Sequence, residues 1–171
     1  VAVTTAQRPV SSSKVAETAS PAATAAPSLP AIPENWQAYA DPVLGFSLRY
    51  PPDLILTDLT GPSPAGGLKE RVLLVRSAQD QARVFSISII ESNPRGLTVD
   101  EWAVEYAACN PKSIEPGVIG EMPAILCSRE AVEDRAEPAV LADVSGRIFM
   151  ITSGSALTGD EFSGVIKSFR F

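Results

Sequence analysis

The sequence predicts an α+β domain in which helices pack on the faces of an antiparallel β-sheet. Strand-like segments far outnumber helix-like ones, several of them are joined by short hairpin-type connections, and two segments carry the start signals of helices. Short connections favour antiparallel pairing, and a sheet with one apolar face needs helices to cover it.

The strand-like segments are short apolar or alternating runs bounded by turn residues. In residues 46–50 the apolar side chains alternate, which predicts a half-buried strand, and Gly45 marks a hairpin with the run before it. Residues 84–90 carry small or apolar side chains on both faces, which predicts a central strand. The predicted strands are 36–39, 46–50, 54–57, 71–77, 83–91, 124–131, 139–145 and 147–153.

Both helices are predicted from capping boxes. Thr98 is followed by Glu101 and Thr158 by Glu161, so each threonine can cap the first turn while the glutamate bonds back to it. We expect the first helix to run to about Cys109, before Asn-Pro stops it. The final helix is expected to bury four apolar side chains: Phe162, Val165, Ile166 and Phe169.

The chain divides near residue 35. Residues 1–33 contain 9 Ala, 5 Pro, 5 Ser and 4 Thr, so they offer too little apolar area to offset the entropy of ordering. We therefore predict a disordered linker or tether over residues 1–35 and a globular domain over residues 36–171. A cloning remnant is the competing interpretation of the linker.

The charge distribution restricts the partners. Within the linker Arg8 and Lys14 balance Glu17 and Glu34, so the net charge of −6 belongs to the globular part. That part has no basic stripe to displace counterions from phosphate, so we expect no nucleic-acid partner. A protein partner is expected instead.

The linker also bears on location. The chain starts at Val1 rather than Met, and no segment reaches the ~18 apolar residues that a spanning helix needs. An Ala/Pro/Ser/Thr tether commonly follows a removed signal peptide, a lipid-modified cysteine or a transmembrane anchor. We expect an extracytoplasmic domain, periplasmic or at the cell surface, that meets the membrane only through an anchor upstream of Val1. A flexible connector from an upstream cytoplasmic domain is the alternative.

Two cysteines are present, and they fit a structural disulfide. A bond between Cys109 and Cys127 would close a loop of roughly 19 residues and stabilise the fold by about 3 kcal/mol. Two buried free thiols are the alternative. The spacing is not that of a redox-active CxxC pair, and without histidine a zinc site lacks its other ligands.

The densest charge cluster is a candidate partner-contact loop. It contains Arg129, Glu130, Glu133, Asp134 and Arg135. A weak calcium site is the other functional interpretation, but calcium needs about six oxygen ligands and the arginines oppose it. A solvated hairpin tip is the simplest interpretation.

Catalytic motifs are absent from the sequence. The lack of histidine excludes Ser–His acyl transfer, and no GxSxG, GxGxxG or GxxxxGK[ST] pattern occurs. Glu101 and Glu105 lie one helical turn apart but are expected to face solvent. We therefore assign no catalytic, cofactor-binding or metal-binding residue, and we expect a protein that is not an enzyme.

Two segments together resemble a known family. The chain has Gly-Phe-Ser-Leu-Arg-Tyr-Pro-Pro at 45–52, after Trp-Gln-Ala-Tyr at 36–39, and it closes with Ser-Phe-Arg-Phe at 168–171. These segments are similar to the opening strand and closing helix of PsbP-like domains, bacterial members of which are often tethered or exported. The resemblance covers residues 36–171, although Leu54 stands where relatives often have Trp.

The resemblance implies the Mog1/PsbP fold, an α/β/α sandwich, and a non-catalytic scaffold or binding role. Photosystem members of the family act as extrinsic subunits and a nuclear-transport member binds a GTPase, but neither role transfers residue by residue. We expect a tethered extracytoplasmic domain that binds a protein through an exposed sheet edge or the charged loop. A ligand-sensing ectodomain of a membrane protein is the alternative, followed by a carboxylate-based hydrolase.

Overall fold

The computed structural model describes residues 2, 31–61, 69–93, 95–129 and 136–171. Most of the predicted linker lies outside these ranges. The described elements are β1 (Gln37–Asp41), β2 (Phe46–Tyr50), β3 (Leu54–Asp58), β4 (Glu70–Ser77), β5 (Val84–Ile90), α1 (Val99–Glu105), a 3₁₀ turn (Pro111–Ser113), β6 (Glu115–Ile119), β7 (Met122–Arg129), β8 (Glu137–Val144), β9 (Arg147–Ser153) and α2 (Gly159–Ser168).

The strands form one large antiparallel sheet and one separate hairpin. Seven strands pair in the order β3-β4-β5-β9-β8-β7-β6, and β1 pairs with β2. Every strand pairing within the described residues is antiparallel. The predicted α+β class with an antiparallel sheet is therefore confirmed.

Each face of the seven-stranded sheet carries its own hydrophobic core, which makes a sandwich. Along β9, Phe149 and Ile151 point into a core shared with α2 and the β1–β2 hairpin, whereas Ile148 points into a second core with Trp102 of α1. The period-2 alternation of a strand places successive side chains in opposite cores. The α/β/α arrangement that the family resemblance implies is thus present.

The prediction of β5 as a central strand is confirmed. β5 lies between β4 and β9, and Phe85, Ile87 and Ile89 are each 0% exposed in the core beside α2. On the opposite face Ser88 is also buried, and the Ser86 and Thr152 hydroxyls lie 2.7 Å apart. These small hydroxyl side chains hydrogen-bond to each other on that face, so β5 is packed on both sides.

Both capping boxes form as predicted. In α1 the Glu101 amide donates to Thr98 Oγ1 at 3.3 Å, and the Thr98 amide donates to Glu101 Oε2 at 2.7 Å. In α2 the corresponding distances between Thr158 and Glu161 are 3.2 and 3.1 Å. The four apolar side chains expected beneath α2 are all buried.

The predicted C-terminal end of α1 is wrong. The helix ends at Glu105 rather than near Cys109, because Ala108 takes a left-handed φ of 53° that turns the chain out of the helix. Tyr106 is the C-cap of the helix and is 42% exposed, with its ring centroid 4.1 Å from that of Trp102. Cys109 then pairs as an isolated bridge with Arg129 of β7.

β6 is a strand that the sequence did not predict. It contains Pro116 and Gly117, two residue types that are depleted in strands. It lies at the sheet edge, where a proline is tolerated. At the β6–β7 turn, Gly120 has a φ of 57°, and a Cβ there would overlap the carbonyl oxygen of Phe169. Glycine at this position therefore permits close approach of α2 to the turn.

Candidate functional site

The disulfide predicted from the sequence is present. Cys109 and Cys127 are bonded, and both are buried in the core that α1 shares with the sheet. Next to the bond, the Asn110 amide donates to the Ser128 carbonyl at 2.9 Å. The bond therefore ties the segment after α1 to the C-terminal part of β7.

The predicted partner-contact cluster is described at one residue only. Arg129 is half-buried; its Nε donates to the Ala107 carbonyl at 2.8 Å and its Nη1 lies 3.7 Å from Glu137 Oε2. It thus braces the end of α1 against β7 and β8. The remaining predicted contacts lie outside the described residues and stay predictions: Glu130, Glu133, Asp134 and Arg135.

Acidic side chains in the described ranges do not converge on a metal site. No group of three or more His, Cys, Asp or Glu residues there is placed to hold an ion. None of the described helices has the length and apolar character needed to cross a membrane. Six described carboxylates pair instead with arginines, and four of the six belong to two clusters, around Arg83 and Arg71.

The first cluster joins three parts of the chain around Arg83. Its Nη2 lies 2.6 Å from Glu161 Oε1 in α2, and its Nε lies 2.9 Å from Asp53 Oδ2 in the β2–β3 turn. Arg83 lowers the pKa of Glu161 to about 2, helped by hydrogen bonds from Thr158, and it also lowers the pKa of Asp53. The Arg83 guanidinium is paired with both carboxylates, so we assign this cluster a structural role.

This cluster predicts acid-sensitive stability. The ordinary pKa of Glu161 is 4.5 and its folded value is about 2, so its contribution is complete above its ordinary pKa and disappears as the pH falls through the folded value. Glu161→Gln keeps an acceptor for the capping box but removes the charge. We expect urea unfolding to show lower stability for the variant at about pH 6, and a smaller further loss than wild type on going to about pH 3.

The matched control is Glu101→Gln, the same change at the same position of the other capping box. The Glu101 carboxylate is exposed and makes no ion pair among the described residues. The Glu101→Gln variant should therefore lose less stability than Glu161→Gln at either pH. Parallel pH profiles for wild type and Glu161→Gln would contradict the role given to Arg83.

The second cluster anchors the β1–β2 hairpin to the large sheet. Asp41 is 2% exposed and accepts from the amides of Val43 and Leu44, each at 2.9 Å. Arg71 of β4 lies 2.7 Å from its other oxygen, and the Tyr39 hydroxyl donates to it at 3.2 Å. Burial, followed by the Asp41 charge, raises the pKa of Tyr39. This buried carboxylate is fully partnered, which argues for a structural role.

An unpaired strand edge is the first surface suited to a partner. β3 is an outermost strand of the sheet. The Leu59 amide donates inward to the Val72 carbonyl at 2.8 Å, and the Gln37 side chain reaches the outward Leu54 carbonyl at 3.3 Å. By the alternation of an antiparallel ladder, the backbone groups of Leu56 and Asp58 face away from β4. In the described part of the chain no strand pairs with them.

Apolar side chains flank this open edge. Ile55 is 56% exposed and Leu59 is 52% exposed, and alternation places them on the same face of β3. Val72 and Leu74 of β4 continue that face and are half-buried. Helix α1 packs over β7 and β8 at the other end of the sheet. We call Ile55, Leu56, Asp58 and Leu59 the β3 edge.

The opposite edge of the sheet, β6, is less suited to pairing with a further strand. β6 carries Pro116, which has no amide hydrogen to offer a further strand. Beside β6, a groove of about 480 Å³ separates α2 from β6, β7 and β8. Phe162 and Ile166 of α2 and Leu126 of β7 line it. The two edges of the sheet therefore present different surfaces, an open strand and a groove.

The structure is similar to a solved member of a known family. The solution structure of cyanobacterial PsbP (CyanoP) from Synechocystis sp. PCC 6803 has a TM-score of 0.52 and 17% identity, covering 79% of this chain and 91% of that chain. The chain has a PsbP-like fold. At this identity the likeness concerns the fold, and function must be argued from the site.

A second solved structure is also similar in fold to this chain. A crystal structure from Bacteroides thetaiotaomicron VPI-5482 has a TM-score of 0.51 and 16% identity, covering 78% of this chain. This chain spans about half of that longer one, 47% of its length. No protein-family model matches the sequence, and no curated protein matches it at a significant level.

The PsbP-like fold brings the opening and closing motifs together. The rings of Phe46 and Phe169 stack with centroids 6.0 Å apart. Ser47 and Arg170 exchange two backbone hydrogen bonds of 2.9 Å. The Ser168 hydroxyl accepts from the Arg49 amide at 2.8 Å and donates to the Val165 carbonyl at 2.7 Å. Ser168, Phe169 and Arg170 of the closing motif therefore each contact the β1–β2 hairpin.

Proposed function

We propose that the protein is a non-catalytic extracytoplasmic binding domain, tethered to a membrane or a larger protein, that binds a protein partner at the β3 edge. The observation that carries the proposal is the pair of outward-facing backbone residues, Leu56 and Asp58, between two exposed apolar side chains. An open edge of this kind is complementary to one occupant, an extended strand of another protein.

The partner segment has a definable chemistry. Main-chain groups would bond to Leu56 and Asp58, and alternate apolar side chains would cover Ile55 and Leu59. Because the globular part carries the net charge of −6, basic residues flanking the strand would favour association. The buried disulfide and the PsbP-like fold are consistent with an oxidising, extracytoplasmic setting.

Site-specific crosslinking tests the binding surface. A photoreactive phenylalanine analogue is placed at Ile55 in the full chain, expressed in the cells that naturally make it. The matched control carries the analogue at Val104, which is 42% exposed on α1. We expect a crosslinked protein from position 55 only, attached through a segment able to form a strand.

A synthetic peptide of the crosslinked segment then tests the mode of binding. Amide hydrogen exchange at Leu56 and Asp58 should slow on binding, and Ile55→Lys should weaken binding whereas Val104→Lys should not. Equal crosslinking at both positions, or unchanged exchange at the outer amides, would overturn the β3 edge as the site.

The location is tested separately by intact mass of the natural protein. We expect resistance to alkylation until reduction, together with added lipid mass or a longer N-terminal segment. Two freely alkylated thiols on a protein without an anchor would refute the extracytoplasmic assignment.

A further inference from the structure

The groove beside α2 has the features of a small-molecule site and is separate from the β3 edge. Its volume of about 480 Å³ lies within the usual range of roughly 300–1,000 Å³ for ligand pockets. Its walls are largely apolar and include Phe162, Ile166, Leu126 and Val140. Phe162, Ile166 and Val140 belong to the core, so this wall is preformed.

Glycine contributes to the shape of the groove. Gly117 of β6 lines it, and a Cβ at this position would lie 2.6 Å from Cγ of Leu126. Leu126 therefore occupies the space that any other residue at 117 would take. Gly159 lines the groove at the start of α2. Because neither glycine has a side chain, the groove stays open at these two positions.

Three polar side chains of the groove, each able to donate a hydrogen bond, have no protein partner among the described residues. Ser163 and Lys167 both line it, and the i, i+4 spacing puts them side by side on α2. Among the described residues, Lys167 makes no ion pair, and the hydroxyls of Ser163 and Ser128 make no hydrogen bond. Lys167 is half-buried, whereas the one carboxylate of the lining, Glu115, is exposed at the rim.

We propose that this groove binds a free amphiphilic carboxylate, with its head group at Lys167 and Ser163 and its apolar chain against Phe162, Ile166 and Leu126. An ammonium and a hydroxyl one helical turn apart offer several donors to one head group with acceptor oxygens. The apolar wall favours a hydrocarbon body. The groove lies between α2 and the strands and has the volume of a site for one small molecule, so the occupant is a single dissolved molecule rather than a membrane surface.

Calorimetric titration of the full chain with dodecanoate, below its micelle concentration, tests the site. Dodecanol and a dodecylammonium salt serve as neutral and cationic probes. We expect dodecanoate to bind at least roughly tenfold more tightly than either, because only the carboxylate can form a charge-assisted hydrogen bond with Lys167. Vesicles containing anionic lipid should not bind.

Two variants locate the site. Lys167→Gln should weaken dodecanoate binding by roughly tenfold or more and leave dodecanol binding unchanged. Ser163→Phe should block both, by filling the groove from its helical wall. Lys112→Gln is the matched control, because Lys112 is exposed and lies outside the groove. Thermal unfolding checks that each variant is folded.

Several outcomes would overturn the proposal. Equal affinity for dodecanoate and dodecanol would remove the role of Lys167, and equal losses in Lys167→Gln and Lys112→Gln would mean non-specific attraction. Binding to anionic vesicles but not to dissolved dodecanoate would show a membrane surface instead. Absence of dodecanoate binding refutes the groove site and leaves the β3 edge unaffected, because the two tests share no residue.

Discussion

Phe169→Ala is expected to lower the free energy of unfolding by about 3–5 kcal/mol, the usual range for an aromatic side chain removed from a core. Phe169 is 0% exposed. Its ring stacks on Phe46 at 6.0 Å and on Phe171 at 5.8 Å. Removing it leaves a cavity where α2, the hairpin and the sheet meet, and the neighbours cannot close it because their backbones are paired. Urea unfolding of wild type and variant measures the difference.

Phe171→Ala is the matched control. It removes the same atoms from the same closing motif, but Phe171 is 41% exposed and less of its surface returns to water. We expect a loss well below that of Phe169→Ala. Similar losses at the two positions would show that the motif acts through general apolarity rather than through the buried ring.

Removal of the disulfide has the second largest expected effect. The double variant Cys109→Ala with Cys127→Ala should lose about 2–5 kcal/mol of stability, because the bond restricts an unfolded loop spanning 18 residues of sequence. It also releases the end of α1 from β7. The measurement is urea unfolding under oxidising conditions.

Reductant provides the internal control. Wild type should lose stability when reduced, whereas the double variant, which has no thiol, should not change. If wild type and variant unfold at the same urea concentration in oxidising buffer, the disulfide is not a stabilising element. A response of the variant to reductant would show that the reductant acts elsewhere.

Most of the fold could be predicted because its signals are local. Alternation in 46–50 and the two-sided apolarity of 84–90 report burial directly from residue type. The pairs Thr98–Glu101 and Thr158–Glu161 define helix starts within four residues. These elements are determined by residues close together in the sequence, and the structure confirms each of them.

The missed strand β6 and the wrong end of α1 have physical causes that cannot be read from the local sequence. β6 contains Pro116 and Gly117, whose low strand propensity is overridden by pairing with β7 at the sheet edge. α1 ends early because Ala108 adopts a left-handed φ that alanine rarely takes. In both cases tertiary contacts outweigh intrinsic preference.

The candidate surfaces were less predictable than the fold. An exposed sheet edge was expected, but only the structure shows that β3 and β6 are the two outermost strands and that Pro116 lies on β6. The α2 groove joins Leu126 to Ser163 and Lys167, about forty residues later in the chain. Neither surface has a sequence motif, since each depends on which strand lies beside which element.

The contact between the β1–β2 hairpin and residues 168–171 has a consequence for folding during synthesis. Phe46 needs Phe169 beside it, and β5 reaches its central place only when β9 has paired with it. A nascent chain that lacks residues 147–171 therefore exposes the apolar faces of its first five strands. The domain is therefore expected to fold only after residues 147–171 have been synthesised, because these residues complete the sheet and its core.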